Sequence, residues 1–188
     1  MNKTTYADLL GRPKLRAIMK NNKESRLQQQ FVYWFRTQYP EYAMLMTHPI
    51  NEGSGHSEID RKRQAIHKAE GTVAGVTDLL LFLPAEYRKP FGHDGMELVF
   101  HYHGLGIEWK TPTGRQSQEQ KDFQKMFEAA GYKYVVVRTL DEGREVVNDY
   151  IAHVLDWIID RIRNARKELI KAQDARELAY FKKVIGKK

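Results

Sequence analysis

The sequence predicts an α/β fold in which a small mixed β-sheet is flanked by helices. Short apolar runs typical of buried strands, at residues 79–83 and 132–138, are separated by longer stretches with apolar residues at helical spacing. Two of those stretches open with capping-box patterns, Ser117 with Gln120 and Thr139 with Glu142. Alternation of strands and capped helices along one chain is typical of the α/β class.

The N-terminal part predicts a basic arm followed by two helices. Residues 1–23 are basic, weakly apolar and broken by a Gly-Arg-Pro sequence, so we interpret them as an arm. From Glu24 the apolar residues recur at helical spacing until Tyr39-Pro40 ends the pattern. Residues 49–57 are rich in Gly, Ser and Asn and predict a loop, and residues 58–69 predict a polar, basic helix.

The middle of the chain predicts the sheet. Residues 79–83, closed by Pro84, form an apolar run that favours a strand buried on both faces. We expect an exposed loop at residues 85–95 and a second strand over about 98–110, bent or interrupted at Gly104 and Gly106. A helix opened by Ser117 ends at Gly131, and the Val- and Tyr-rich residues 132–138 predict the third strand.

The C-terminal part predicts one long helix after Thr139. Apolar residues keep the helical period past Tyr150 to Ile162, and Leu169 extends it, a length typical of a packed helical pair or a coiled-coil-like dimer contact. The later half is basic, and a solvated tail explains it as well as a DNA-binding helix does. We therefore divide the chain into an arm (1–23), a central domain (24–150) and a C-terminal helical extension (151–188).

The composition favours a soluble protein with a polyanionic partner. Lysine and arginine number 31 against 24 acidic residues, a formal net charge of +7, which points to nucleic acid first and an anionic membrane second. There is no cysteine, so a metal would need oxygen or imidazole ligands. The first ten residues lack the apolar core of a secretory signal, and no apolar run reaches membrane-spanning length. We expect a cytoplasmic protein.

Three residues carry a pattern suited to phosphodiester hydrolysis. On a strand, Glu108 and Lys110 point to one face while Trp109 points to the other. Asp78 opens another predicted strand, and if the two strands are neighbours, two carboxylates and an amine converge. Carboxylates bind hard cations such as Mg²⁺, and an amine can orient water or stabilise charge at phosphorus. Alone, Glu108 and Lys110 could equally be an ion pair on a solvated face.

Four runs of this chain have a recognisable order: Glu24-Ser25-Arg26-Leu27-Gln28, Gly75-Val76-Thr77-Asp78, Gly106-Ile107-Glu108-Trp109-Lys110, and Gly114-Arg115-Gln116-Ser117 with Gln120. This order resembles the VRR-NUC domain, a branch of the PD-(D/E)xK, restriction-endonuclease-like nucleases. The resemblance covers about residues 24–150. Two positions depart from it, since Thr77 stands where the family commonly has proline and Trp109 where it has a small aliphatic residue or methionine.

The resemblance implies a restriction-endonuclease-like core and a site that binds Mg²⁺ or Mn²⁺. It assigns Asp78, Glu108, the backbone carbonyl of Trp109 and Glu24 to the metal, and Lys110 and Gln120 join Asp78 and Glu108 in catalysis. Stand-alone members, mostly from phages and prophages, act as homodimers on branched DNA such as Holliday junctions. We therefore expect a structure-selective DNA endonuclease of phage or prophage origin, and a homodimer.

Several of these residues have a second explanation. Gln120 also fits the third helical position of a capping box, and Glu24 is favoured in a first helical turn by the helix dipole alone. His101 and His103 have metal-binding spacing but lack a third ligand, so we leave them out of the site. Turn formation explains Asn51 as well as DNA contact does. The candidate DNA contacts are Asn51, Lys62, Arg63, Lys68, Arg115 and Lys121. For each of the cations, a solvated surface position is the alternative explanation.

Other functions remain open at this point. One is a flap or general endonuclease without junction preference, and another is a catalytically silent DNA-binding or scaffold protein of the same fold. Retention of Asp78, Glu108, Lys110 and Gln120 together argues against a silent site. A membrane-surface protein fits less well, because the basic C-terminal helix is charged around much of its circumference.

Overall fold

The computed structural model describes residues 23–49, 57–91 and 96–185, in which helices surround a four-stranded sheet and a separate hairpin. The predicted α/β class is confirmed. In chain order the elements are α1 (Lys23–Gln38), a short 3₁₀ helix (Ala43–Leu45), β1 (Met46–Thr47), α2 (Glu58–Ala69), β2 (Leu79–Leu81), β3 (Ala85–Phe91), β4 (Met96–Tyr102), β5 (Leu105–Trp109), α3 (Gln118–Ala129), β6 (Lys133–Val137), α4 (Leu140–Ala152) and α5 (Asp156–Ile185).

The main sheet is mixed and has the order β1-β2-β5-β6. Strand β5 lies between β2, which is antiparallel to it, and β6, which is parallel to it. All five residues of β5 are buried, as expected of a central strand covered on both faces. The parallel pair needs a crossover connection, which α3 provides.

Different helices cover the two faces of the sheet. On one face the Phe31 ring of α1 packs edge-on against the Trp109 ring at 5.3 Å between centroids. Gly143 of α4 lies against the same two rings, and a Cβ added there would stand 2.8 Å from Cη2 of Trp109. On the other face, the Phe127 ring of α3 lies close to Gly106 of β5. Trp109 thus faces the core, as predicted, and Glu108 faces the opposite side.

The prediction of a loop at residues 85–95 was wrong for its first part. Strand β3 pairs antiparallel with β4 over seven residue pairs, from Ala85 with Tyr102 to Phe91 with Met96. The charged side chains and the proline of β3 obscure its strand pattern in the sequence. The strand is stabilised by its backbone hydrogen bonds with β4. The predicted interruption near Gly104 is confirmed, because β4 ends at Tyr102 and β5 starts in another sheet.

The prediction of one continuous C-terminal helix was also wrong. Helix α4 ends at Ala152 and α5 begins at Asp156. The break lets Val154 and Ile158 reach the main hydrophobic core of the protein, where both are buried. From residue 163 to residue 177 every side chain is exposed. None of the described helices combines the length and apolar character needed to cross a bilayer.

Candidate active site

The predicted site residues meet at the end of the sheet where β5 and β6 finish and β2 starts. Leu79 pairs with Ile107 in the antiparallel register, so Asp78, one residue earlier, lies opposite Glu108. Cross-strand partners point to the same face of a sheet. Lys110 follows β5 directly. The convergence expected from the sequence is therefore present, because β2 and β5 are neighbours.

Glu108 is a buried carboxylate held by three donors. Its side chain is 1% exposed, and Lys110 Nζ lies 2.8 Å from Oε1. The side-chain amide of Gln120 also donates to Oε1, and the Tyr134 hydroxyl donates to Oε2 at 3.3 Å. Burial raises the pKa of Glu108, the hydrogen bond with Lys110 lowers it, and the negative charge of Asp78 raises it. These donors offset part of the cost of burying the charge.

Asp78 is half-buried and fixed through both its side chain and its backbone. Its Oδ2 accepts the backbone N–H of Trp109 at 2.8 Å, while Oδ1 accepts no hydrogen bond from the described part of the chain. Its carbonyl oxygen lies 2.6 Å from Nδ1 of His48 and accepts from the amide of Gln28 at 3.4 Å. Burial raises the pKa of Asp78, and the Trp109 N–H and the charge of Lys110 lower it.

Gln120 forms the capping box and its side chain also contacts Glu108. Its backbone N–H and side-chain oxygen form the capping box with Ser117, at 3.3 and 3.0 Å, while its side-chain nitrogen reaches Glu108. Gly75 makes this possible, because its φ is +76° and a Cβ there would stand 2.3 Å from the carbonyl carbon of Glu119. The loop before Asp78 therefore touches the backbone of α3 directly.

Glu24 lies at the site but binds the backbone. Its Oε1 accepts the N–H of Thr111 at 2.8 Å, and its negative charge contributes to the raised pKa of Asp78. Across residues 23–49, 57–91 and 96–185, no three His, Asp or Glu side chains stand close enough together to hold a metal ion. The metal roles of Glu24 and of the Trp109 carbonyl stay predictions.

The candidate DNA contacts that the structure describes are all exposed, and Asn51 lies outside the described residues. Lys62 pairs with Glu58 of the same helix at 2.8 Å. Lys68 faces the start of α3 across an open cleft of about 430 Å³, which Gly75 and Gln120 also line. Arg63 lies on α2, Arg115 in the turn before α3 and Lys121 on α3. These contacts also stay predictions.

His101 and His103, which the sequence left out of the site, lie away from it. Nδ1 of His101 is 3.4 Å from Oε2 of Glu86 in the hairpin, and the His103 ring packs edge-on against Tyr132. Neither belongs to a group of metal-binding side chains within the described residues.

Three residues that contact the site were not assigned to it from the sequence, although Gln28 belongs to the opening-helix run. Tyr134 contacts Glu108, and the Gln28 and His48 side chains contact the carbonyl of Asp78. Gln28 has a local signal, because it follows Glu24 by four residues and so shares its helix face. Tyr134 lies opposite Gly106 in the parallel register, a relation that no local pattern reveals.

Comparison with solved structures shows a similarity of fold. A protein described as a "VRR_NUC domain protein" aligns with a TM-score of 0.52 and 22% sequence identity, over 71% of this chain and 92% of that chain. No protein-family model matches the sequence, and no curated protein does either. The fold predicted from the motif order is confirmed: this chain has the fold of a VRR-NUC domain.

Proposed function

We propose that this protein is a metal-dependent nuclease that hydrolyses DNA phosphodiester bonds at Asp78, Glu108 and Lys110. The observation that carries the proposal is the meeting of two carboxylates, one amine and one amide at the end of the sheet. Lys110 Nζ and the Gln120 amide both contact Oε1 of the buried Glu108, opposite Asp78. A buried cluster of this kind is costly for stability, which favours a chemical role.

The donor set fits a hard divalent cation. Asp78 and Glu108 offer carboxylate oxygens from neighbouring strands, and Oδ1 of Asp78 is not used by the described residues. Mg²⁺ commonly binds through one or two carboxylates and keeps several waters, so a third carboxylate is not required. Bound there, Mg²⁺ or Mn²⁺ would supply a Lewis acid for the phosphate and lower the pKa of a water. The Trp109 carbonyl and Glu24 are further proposed ligands.

The chain's own residues have distinct tasks in this proposal. Lys110 is 12% exposed and places a positive charge beside Glu108, where it orients the attacking water and stabilises charge developing on the phosphate. Gln120 and Tyr134 hold the Glu108 carboxylate in one orientation. Asp78 is fixed by the Trp109 N–H, so the two carboxylates keep their relative position without substrate.

DNA is the proposed substrate because the surface and the fold both favour it. The net charge of +7 attracts a polyanion, and the exposed Lys68 of α2 lines the same cleft as Gln120. The solved structure with the same fold is described as a VRR_NUC domain protein, and this domain type suggests a nuclease.

A finer proposal is that the enzyme prefers branched DNA and acts as a homodimer. A four-way junction has two-fold symmetry, which a symmetric dimer with two active sites would match. Helix α5, whose side chains at residues 163–177 are all exposed, is the proposed dimer element. Light scattering at micromolar concentration tests this part, and a monomeric mass would contradict it.

The test is an incubation of the protein with labelled linear, flap and four-way-junction DNA in Mg²⁺, Mn²⁺ or EDTA. Wild type should cleave with either metal and stop in EDTA, with the junction cut fastest. Glu108→Ala should be inactive on all three. Equal behaviour of the wild type and Glu108→Ala under all conditions would contradict the nuclease proposal, whereas equal cutting of all three DNAs would contradict only the junction preference.

A further inference from the structure

A tight turn lies in the segment between β5 and α3, the helix that carries Gln120. Lys110 follows the strand directly, and the N–H of Gly114 donates to the carbonyl of Thr111 at 3.0 Å, which closes a turn over residues 111–114. A Cβ at Gly114 would stand 2.8 Å from Oγ1 of Thr111, so the turn is compact. It lies between Lys110 and Gln120 in the chain, and both of these side chains contact Oε1 of Glu108.

The guanidinium of Arg138 holds this turn by its carbonyl oxygens. Nη1 donates to the carbonyl of Thr111 at 2.6 Å and to that of Gly114 at 2.9 Å, and it lies 3.5 Å from the carbonyl of Pro112. Arg138 directly follows β6, and its own N–H donates to Oε2 of Glu142 at 2.7 Å. The side chain therefore starts from a position that is itself anchored at the first turn of α4.

Two charged side chains hold the backbone of Thr111, one at its N–H and one at its carbonyl oxygen. Its N–H donates to the Glu24 carboxylate at 2.8 Å and its carbonyl accepts from Arg138 at 2.6 Å. Immediately before it, the N–H of Lys110 donates to the carbonyl of Val137 at 3.0 Å. Hydrogen bonds to charged groups are stronger than neutral ones, so this segment is held more firmly than an ordinary turn.

We propose that Arg138 is a positioning residue of the active site, acting through the 111–114 turn on Lys110 and Gln120. The inference rests on the proposed nuclease function. Arginine suits the task because it stays charged and its planar group presents several N–H donors in a fixed arrangement. A lysine at the same place would supply a point charge on a flexible stem and would hold the two carbonyls less well.

The kinetic test compares Arg138→Gln and Arg138→Lys with Arg88→Gln, which removes an equal charge from the hairpin at the other end of β2. For Arg138→Gln we expect kcat to fall about 100-fold, the loss that small misplacements of reacting groups produce, with KM within about twofold. Arg138→Lys should recover part of kcat, and Arg88→Gln should match the wild type. A loss confined to KM or to DNA affinity in EDTA would overturn the proposal and make Arg138 a DNA contact.

A second measurement does not depend on nuclease activity. Amide hydrogen exchange in the metal-free protein should be at least about tenfold faster for Thr111 and Gly114 in Arg138→Gln, because their turn loses the hydrogen bonds from the guanidinium. Ile107 in β5 should stay as protected as in the wild type. Unchanged exchange at both amides would overturn the proposal. If the wild type cleaves no DNA, the proposed function fails, and the exchange result alone decides whether Arg138 holds the turn. If Arg138→Gln does not fold, Arg138→Lys provides the same comparison.

Discussion

Glu108 places a charged side chain in the core, where apolar side chains are expected. Its side chain is 1% exposed on the central strand, and the negative charge of the carboxylate is stabilised by Lys110, Gln120 and Tyr134. Removing one partner of a buried pair leaves an uncompensated charge, which is strongly destabilising. Such local conflicts are expected at functional sites, where stability is lost in favour of chemistry.

Asp78→Asn should raise the stability of the metal-free protein while abolishing cleavage. Burial raises the pKa of Asp78, so its charged form is disfavoured in the folded state at neutral pH, and an amide removes that charge while it keeps an oxygen for the Trp109 N–H. Because the folded pKa is raised, the wild type regains stability as the pH falls through it, and the advantage of the variant should shrink. Thermal unfolding in EDTA at neutral and acidic pH measures this, and a lower Tm of the variant at neutral pH would contradict it.

Thr77→Val should stabilise the protein without changing its activity. Thr77 is fully buried and its Oγ1 has no hydrogen-bond partner among the described residues. Valine has nearly the same shape, so the variant should gain about 1 kcal/mol, the lower end of the cost of a buried unsatisfied hydroxyl. Urea unfolding of this variant and of Thr37→Val, an exposed control, would show the difference. Equal free energies of unfolding for both variants and the wild type would refute this account of Thr77.

At the scale of elements, the site depends on how closely the loop before β2 approaches α3. Gly71 and Gly75 both have positive φ, +99° and +76°, but only Gly75 has backbone atoms where a Cβ would be. Alanine substitutions at the two glycines therefore distinguish two losses of stability. One comes from the left-handed backbone conformation alone, and the other also includes the steric clash with α3.

Gly75→Ala should destabilise the protein far more than Gly71→Ala does. A Cβ at Gly71 meets no atom within 4 Å, so that variant should lose about 1–2 kcal/mol from the left-handed backbone alone. A Cβ at Gly75 would stand 2.3 Å from Glu119, which forces α3 and Gln120 away from Glu108. Denaturant unfolding and cleavage rates measure both effects. Similar losses of stability in the two variants, with cleavage retained, would contradict the direct contact of this loop with α3.

The elements that the sequence predicted correctly are those with local signals. Helix α3 has its capping box, β6 its run of valines, and α1 its apolar positions at helical spacing. Strand β3 lacks such a signal, because its charged side chains and its proline obscure the strand pattern, although it pairs with the next strand, β4. The break at residues 153–155 was also hidden, because the apolar period continues across it while the tertiary core draws in Val154 and Ile158.

At the scale of the whole molecule, the motif order was enough to predict the fold and the central trio. Asp78 and Glu108 are recognisable because one directly precedes an apolar run and the other stands two residues before Lys110 on a strand. Their pairing follows from β2 lying beside β5. Tyr134 and Arg138 were not predictable, because their roles come from β6 lying beside β5 and from contacts across more than twenty residues. Sequence patterns thus indicated the two site carboxylates, Lys110 and Gln120, but not Tyr134, which contacts Glu108, or Arg138, which contacts the turn after Lys110.

Shortening the chain after Ile162 should leave the body of the protein folded, whereas shortening it after Tyr150 should not. Val154 and Ile158 are buried in the core, and the side chains of residues 163–177 are all exposed. Loss of two buried aliphatic side chains costs about 2–5 kcal/mol each, much of the stability of a domain. Thermal unfolding compares the two shortened chains. A cooperative transition at the wild-type Tm after removal of residues 151–188 would contradict this role of the first turns of α5.

The most direct test of the central claim is single-turnover DNA cleavage with Mn²⁺ by the wild type, Glu108→Gln and Glu97→Gln. Both variants replace one carboxylate by an amide, at the buried site and in the exposed hairpin, where Glu97 pairs with Arg88. We expect Glu97→Gln to cleave at the wild-type rate and Glu108→Gln to be slower by at least about 1,000-fold, the loss of roughly 4 kcal/mol of transition-state stabilisation. Cleavage by Glu108→Gln at the rate of Glu97→Gln would contradict the assignment of this site.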